Sequence, residues 1–285
     1  MSTSRGVSGA ASEIDSSIIS DIKRASQLAN VDFGYLMAQA AQESSFNPQA
    51  KASTSSATGL YQFIDSTWLA TVKQYGAKYG LGNLADQIEQ SGGSYRVADA
   101  SVRQQILDLR KDPKVSSELA AEFAHQNKQQ LEAALGREAN STDLYLAHFL
   151  GAQGATQFVQ SMEQNASTKA ADLLPGAASA NRSIFYDTNG NPKTVAQVYQ
   201  SFAAKMERQI NQYADATGVS KDTAAEEVAM NNPMDLPNRN SQPMLAAMNV
   251  IALATLKLFG RQSSDSLSPD TSIAQDKHRS TDTSA

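Results

Sequence analysis

Residues 41–63 read AQESSFNPQAKASTSSATGLYQF, and this segment contains a single acidic side chain, Glu43. A helical pattern runs up to Glu43 and breaks at Pro48, where a loop rich in Ser, Thr and Ala begins. Leu36 and Ala40 precede Glu43 at helical spacing, so all three share the face that packs into the core. The sequence therefore predicts a buried carboxyl group at the end of a helix.

The position of Glu43 in the last helical turn disfavours its charge. The helix dipole is negative at this end, and burial also penalises a carboxylate. We therefore expect Glu43 to keep its proton near neutral pH, as a general acid requires. Either Asn30 or Asp32 can cap the start of this helix. Helix-end acids are common on protein surfaces, so an ordinary surface glutamate is the alternative.

Composition excludes several classes of function. The 285-residue chain has a net charge of -5 and a pI of about 5.3, which argues against nucleic acid as the main partner. It has no cysteine, which excludes thiol catalysis, and three histidines without an HExxH pattern. We therefore expect neither a metal site nor a cofactor.

The periodicity along the chain predicts an all-α protein. Few alternating β-branched stretches occur, so no sheet is indicated, although a small hairpin turn at Asn189-Gly190 is compatible with the sequence. The predicted helices are, approximately, 14–29, 33–43, 66–80, 100–110, 116–135, 141–150, 152–164 and 194–215.

The segment around Glu43 resembles the transglycosylase SLT domain of the lysozyme-like lytic transglycosylases. That pattern runs E-S-x-[FW]-N-P-x-A, a short loop, then G-L-[MFY]-Q. The matching residues are Glu43, Ser44, Ser45, Phe46, Asn47, Pro48, Ala50, Gly59, Leu60, Tyr61 and Gln62. The loop is one residue longer than the commonest form.

A second family element, A-Y-N-x-G-x-G, corresponds to residues 147–154, where His148 and Phe149 replace the aromatic-amide pair. The resemblance extends over about residues 20–165.

The resemblance implies a lysozyme-like helical domain that cleaves the MurNAc-GlcNAc β-1,4 bond of peptidoglycan. Glu43 would protonate the glycosidic oxygen and then accept the proton of the MurNAc 6-hydroxyl, which yields a 1,6-anhydro end. Peptidoglycan glycan strands would be the partner, in the periplasm or at the cell wall. A hydrolytic muramidase and a catalytically weak peptidoglycan-binding or scaffold protein are the alternatives.

Four further residues are candidates for substrate binding. Gln62 matches the sugar-binding amide of the family, with a place at the rim of the core as the alternative. Ser56 would contact substrate or orient Glu43. Tyr61 would flank the glycan or pack in the core, and His148 would bind sugar near Glu43 or be a buried structural histidine.

For other polar and aromatic residues near the motif, the sequence predicts structural roles in capping a helix or filling the core. Asp65 is expected to cap the helix that starts at Ser66. Trp68, Tyr75 and Tyr79 form one helical stripe, which is more often core than a platform for sugars.

The composition divides the chain into three parts. Residues 1–12 are expected to be a disordered leader, 13–216 the SLT domain, and 217–285 a flexible C-terminal region with an apolar helix at 243–260 and a disordered tail. That helix is shorter than the roughly 20 residues that cross a bilayer, so membrane contact is the least favoured interpretation. It would either pack on the domain or bind a protein partner. The N-terminus lacks the apolar stretch of a signal peptide, so export would use another route or a leader outside this sequence.

Overall fold

The structure, a computed structural model, describes residues 14–217. The predictions for 1–12 and for the apolar helix at 243–260 lie outside the described residues. The helices are α1 Ser16–Ala29, α2 Phe33–Ser44, α3 Asp65–Tyr75, α4 Gly82–Asp86, α5 Ala100–Asp108, α6 Pro113–Leu135, α7 Ser141–Gln164, α8 Ala170–Leu173, α9 Pro175–Ala180, α10 Arg182–Phe185 and α11 Val195–Thr217.

The predicted helices within this range are all present. The 3₁₀ turns Gly76–Tyr79 and Leu109–Lys111 extend α3 and α5. The two helices predicted at 141–150 and 152–164 are the two halves of α7, which is kinked at Gly151, where φ is 74° and ψ is 159°. The short helices α4, α8, α9 and α10 were not predicted, since segments of four to six residues carry too little periodicity.

Helix α6 forms the centre of the fold. It packs against α1 on one side and α7 on another, and α11 packs against both α2 and α7. Small buried side chains such as Ala120 and Ala124 let neighbouring helices approach α6 closely. On α11, Val198, Phe202 and Met206 recur at four-residue intervals and are buried. The helix that carries Glu43 therefore lies between its neighbours rather than on the surface.

The expectation that the chain contains no sheet is wrong at one place. Strands β1 Ile88–Ser91 and β2 Ser94–Val97 form an antiparallel hairpin. Gly92 and Gly93 turn the chain with φ of 56° and 77°, as a type I′ turn requires. Only Ile88 is buried in β1, and β2 alternates over just four residues, so neither strand carries enough of the pattern by which a half-buried strand is recognised. The small hairpin leaves the fold all-α in class.

The turn predicted at Asn189-Gly190 is present. An antiparallel bridge joins Tyr186 to Pro192, and Gly190 has a φ of 84°. The Asp187 carboxylate accepts backbone N–H groups from Asn189 and Asn191, which stabilises the turn.

Trp68 belongs to the core, as its helical position indicated. Its side chain has no exposed surface, and its indole N–H donates to the Ile106 carbonyl at 2.6 Å. Its ring packs edge-on against Phe63, with 5.1 Å between the ring centroids. Tyr75 and Tyr79 are partly buried against the same core.

Gly59 stands where no other residue fits. Its φ is 85°, and a Cβ atom built on it would lie 1.9 Å from the backbone oxygen of Arg110. Close approach of two backbone segments and a left-handed conformation both demand glycine. The segment after α5 therefore packs directly on the loop that follows Glu43.

Replacing this glycine tests that contact. We expect Gly59→Ala to lower the free energy of unfolding by about 3 kcal/mol or more, because the backbone must move to admit the methyl group. Gly80→Ala is the matched control: its φ is 78° but nothing lies within 4 Å of the added atom. Its cost should be about 1–2 kcal/mol. Urea unfolding followed by the fluorescence of the single tryptophan measures both, and equal losses would contradict the proposed clash.

Candidate active site

Glu43 lies in the last turn of α2 and is only 2% exposed. The helix is fixed at its start by Asp32, whose carboxylate accepts the Tyr35 N–H at 2.6 Å. Of the two candidate caps, Asp32 is therefore the one used. Ser45 and Phe46 end the helix in left-handed conformations, with φ of 52° and 62°. These fixed ends hold the carboxyl group against the core.

The loop after α2 is tied back to the helix end. The Ser44 hydroxyl donates to the Leu60 carbonyl at 2.8 Å, and the Gly59 N–H donates to the Ala50 carbonyl at 2.8 Å. Thr58 bridges to both Lys51 and Phe63. The motif residues on either side of the loop are therefore joined to each other, which fixes the loop to the end of α2.

Gln62 contributes to the same loop. It is buried, and its φ of 49° is unusual for a residue other than glycine. Its amide nitrogen donates to the carbonyls of Ala50 and Gly59, at 3.1 and 2.9 Å. The nitrogen therefore stabilises the loop, and sugar binding by this amide stays a prediction.

Ser56 is exposed at the start of α3. Its hydroxyl accepts the Asp65 N–H at 3.1 Å, so it caps the helix from outside. Its carbonyl accepts a hydrogen bond from Arg110 at 2.8 Å. These are structural contacts, and a contact with substrate stays a prediction.

The capping role predicted for Asp65 is wrong. The helix begins at Asp65 itself, after Ile64, and no side chain of these two residues caps it. Instead the Asp65 carboxylate pairs with Arg110 at 2.8 Å and with Arg103 at 2.7 Å. Long-range pairing with two arginines outcompeted the local cap, and the one-dimensional pattern could not reveal it.

Tyr61 is 2% exposed, and burial raises the pKa of its phenol. It contributes to the core and also to one wall of a small cleft. The cleft has a volume of about 20 Å³, room for about one water molecule, and is lined by Gln39, Tyr61, Gln62, Phe63, Ile64, Thr67, Phe123 and His148. A wider hollow lies on the surface at the α6–α7 turn, lined by Lys128, Glu132, Gly136, Arg137 and Glu138, away from the predicted residues.

His148 is the predicted site residue that the fold brings directly to Glu43. Its Nε2 atom lies 3.0 Å from Glu43 Oε1, and its Nδ1 atom lies 3.2 Å from Gln39 Nε2. His148 stands in the last turn of α7 before the kink at Gly151. A Cβ on Gly154 would lie 3.0 Å from Leu150 Cβ, so a small residue is needed just beyond the kink.

Three more ionisable side chains face Glu43. Tyr35 on α2 and Tyr145 on α7 are buried, and burial and the charge of Glu43 raise the pKa of both phenols. Lys205 on α11 also interacts with Glu43, and burial lowers the pKa of its ammonium group. Glu43 is therefore surrounded by groups that are neutral or positively charged.

Sequence reasoning missed these neighbours for two different reasons. Tyr35 and Gln39 precede Glu43 by eight and four residues, so helical spacing alone could have placed all three on one face. Lys205 carried no such signal, because the packing of α11 against α2 is a tertiary contact.

The described part of the chain shows neither a metal-binding cluster nor a membrane-spanning helix. Within residues 14–217, no three His, Cys, Asp or Glu side chains cluster closely enough to hold a metal ion. Among the helices of that range, none combines the length and the apolar character that a bilayer-crossing segment needs.

Residues 20–92 match the family model of the transglycosylase SLT domain. The match contains α2 with Glu43, the tied loop and α3, and it ends in the hairpin turn. Together with the helical architecture it confirms the predicted all-α, lysozyme-like fold. His148 lies outside the matched segment.

Arg110 allows a test of what holds the loop. Its guanidinium is buried, and it bonds the carbonyls of Ser56 and Phe63 as well as Asp65. Arg110→Met should lower the free energy of unfolding by about 3 kcal/mol, because it leaves these acceptors unpaired. Arg103→Met removes the exposed arginine on the same carboxylate and should cost about 1 kcal/mol or less. Chemical denaturation compares the two, and similar losses would show that burial of Arg110 is not decisive.

Proposed function

We propose, from the premise that residues 20–92 are a transglycosylase SLT domain, that this protein is a peptidoglycan lytic transglycosylase. It would cleave the MurNAc-GlcNAc β-1,4 bond and leave 1,6-anhydro-MurNAc ends. The family match supports action on peptidoglycan, outside the cytoplasm. The observation that supports this anhydro-forming reaction is that, within residues 14–217, the buried Glu43 carboxyl group is isolated from the other buried acids.

Other buried acids within residues 14–217 are engaged elsewhere. Asp143 pairs with Arg137, and Glu122 pairs with Lys78. Glu118 interacts with charged groups of α1 and α6 rather than with Glu43. Most glycosidases use two carboxyl groups that face each other across the scissile bond. A single acid suits a reaction in which the substrate supplies the remaining groups.

The proposed steps conserve every proton. Glu43 gives its proton to the glycosidic oxygen as the bond from that oxygen to the anomeric carbon breaks, and the substrate N-acetyl group stabilises the cationic centre. The Glu43 carboxylate then takes the proton of the MurNAc 6-hydroxyl. The 6-oxygen bonds to the anomeric carbon, and Glu43 is restored to its acid form.

The position of Glu43 suits a proton transfer that excludes water. Its carboxyl group is 2% exposed and lies at the carbonyl end of α2. The neighbouring cleft of about 20 Å³ is too small for a sugar ring. We propose that the walls formed by α2, the loop and α7 separate as the glycan enters.

Replacing Glu43 tests the proposed function. On purified sacculi, Glu43→Gln should release anhydro ends at least 100-fold more slowly than the native protein, because the amide cannot donate the proton. Glu138→Gln is the control, since this glutamate is 85% exposed at the α6–α7 turn, and it should act like the native protein. Mass spectrometry of the muropeptides identifies the ends that are released.

Unchanged activity of Glu43→Gln would contradict the role of Glu43, and ends heavier by one water would indicate a muramidase. Binding of sacculi without cleavage by the native protein would favour the scaffold alternative.

We also propose that 13–216 is the catalytic domain and that 217–285 recruits it to a wall-spanning assembly. This is a proposal from the composition of the segment, which lies almost entirely outside the described residues. Deletion of 218–285 should leave the rate of glycan cleavage by the purified protein within about twofold. In cells it should convert focal localisation into a diffuse one. Loss of cleavage in the truncated protein would contradict this division.

A further inference from the structure

We propose that His148 is a positioning residue that directs the proton of Glu43 onto a single carboxyl oxygen, and that Gln39 sets the tautomer of His148 for this task. The proposal rests on the proposed function, since it concerns the acid of that reaction. The observation that supports it is the chain of contacts that runs from Gln39 through the His148 imidazole to Glu43.

The three side chains form a continuous buried chain. Gln39 Nε2 lies 3.2 Å from His148 Nδ1, and His148 Nε2 lies 3.0 Å from Glu43 Oε1. The side chains of Glu43 and His148 are 1% and 12% exposed, and Gln39 is 4% exposed. Water therefore competes little for these hydrogen bonds.

The orientation of the Gln39 amide decides where the protons lie. With the amide nitrogen towards the imidazole, as in this structure, Gln39 donates to Nδ1 of His148, which then carries no proton. The neutral imidazole then holds its proton on Nε2, which donates to Glu43 Oε1. Because Oε1 accepts this hydrogen bond, the acidic proton of Glu43 resides on Oε2.

This arrangement serves both halves of the proposed reaction. Before cleavage it places the acidic proton on Oε2 alone. After transfer, the Nε2–H group donates to a carboxylate, and such charge-assisted bonds are the stronger ones. The imidazole neither gains nor loses a proton during the cycle. Since Oε2 then takes the 6-hydroxyl proton, the same oxygen acts twice.

The other ionisable groups that face Glu43 lie on α2, α7 and α11. Tyr35 on α2 and Tyr145 on α7 stay neutral, because burial and the charge of Glu43 raise the pKa of both phenols. Lys205 on α11 interacts with Glu43, and burial lowers the pKa of its ammonium group. Lys205→Met, assayed in parallel, separates the contribution of Lys205 to kcat from that of His148.

Three variants of His148 test the kinetic consequence. His148→Leu removes the donor, and kcat should fall roughly 10- to 100-fold with KM changed by less than about twofold. His148→Gln places a non-titrating N–H donor at a similar reach and should recover most of kcat. His148→Tyr, the residue usual in the family, should also recover it through its hydroxyl. Thermal unfolding establishes that each variant is folded.

The comparison of His148→Leu with His148→Gln adds a readout that a packing role would not change. Leucine and glutamine both fill the space beside Glu43, but only glutamine carries an N–H donor. A loss of kcat in His148→Leu that folded His148→Gln reverses therefore reports the hydrogen bond and not the packing. Native kcat in His148→Leu, or no recovery in a folded His148→Gln, would overturn the proposal.

The tautomer is testable without activity. Long-range ¹H–¹⁵N spectra of the imidazoles should show His148 protonated on Nε2 and not on Nδ1. The chain has three histidines, so the spectrum of His148→Gln assigns the signal. Gln39→Leu should remove the tautomer preference. A proton on Nδ1 in the native protein would overturn the proposal even if anhydro ends are released, whereas a correct tautomer without such ends would count against the proposed function alone.

Discussion

The fold at the candidate site depends on one buried guanidinium, that of Arg110. It donates to the carbonyls of Leu107, Ser56 and Phe63 and pairs with Asp65, so the segment after α5 holds both ends of the Ser- and Thr-rich loop. The backbone of the same residue lies so close to Gly59 that only glycine fits. Because burial lowers the pKa of Arg110 even beside a carboxylate, the cation is costly to bury and is retained through its four partners.

The position of Glu43 follows from that loop. Ser44 joins the end of α2 to Leu60, α1 and α11 pack against α2, and His148 of α7 lies beside Glu43. The Glu43 carboxyl group is 2% exposed, its Oε1 atom lies 3.0 Å from His148 Nε2, and Lys205 interacts with it electrostatically. The chemistry we propose uses this burial, since it keeps water away from the carboxyl group until a glycosidic oxygen arrives.

Much of the fold could be read from the sequence because its long helices are strongly periodic. The β1–β2 hairpin is not apparent from the sequence because its strands are only four residues long, and the kink in α7 gives the same pattern as a break between two helices. At the site, the sequence indicated Glu43 and His148 separately but not their contact, because 105 residues separate them along the chain. The prediction that Asp65 caps a helix was wrong for the same reason, because its arginine partners come from a distant segment of the chain. Local patterns predict elements, whereas pairing between elements requires the packed structure.

We propose above all that a single carboxyl group, that of Glu43, cleaves the glycan without water entering the bond. Digestion of purified sacculi in water enriched in oxygen-18 measures this directly by the mass of the released muropeptides. Our account predicts anhydro ends that carry no oxygen-18. Incorporation of one oxygen-18 atom at each newly formed reducing end would contradict it and identify the reaction as hydrolysis.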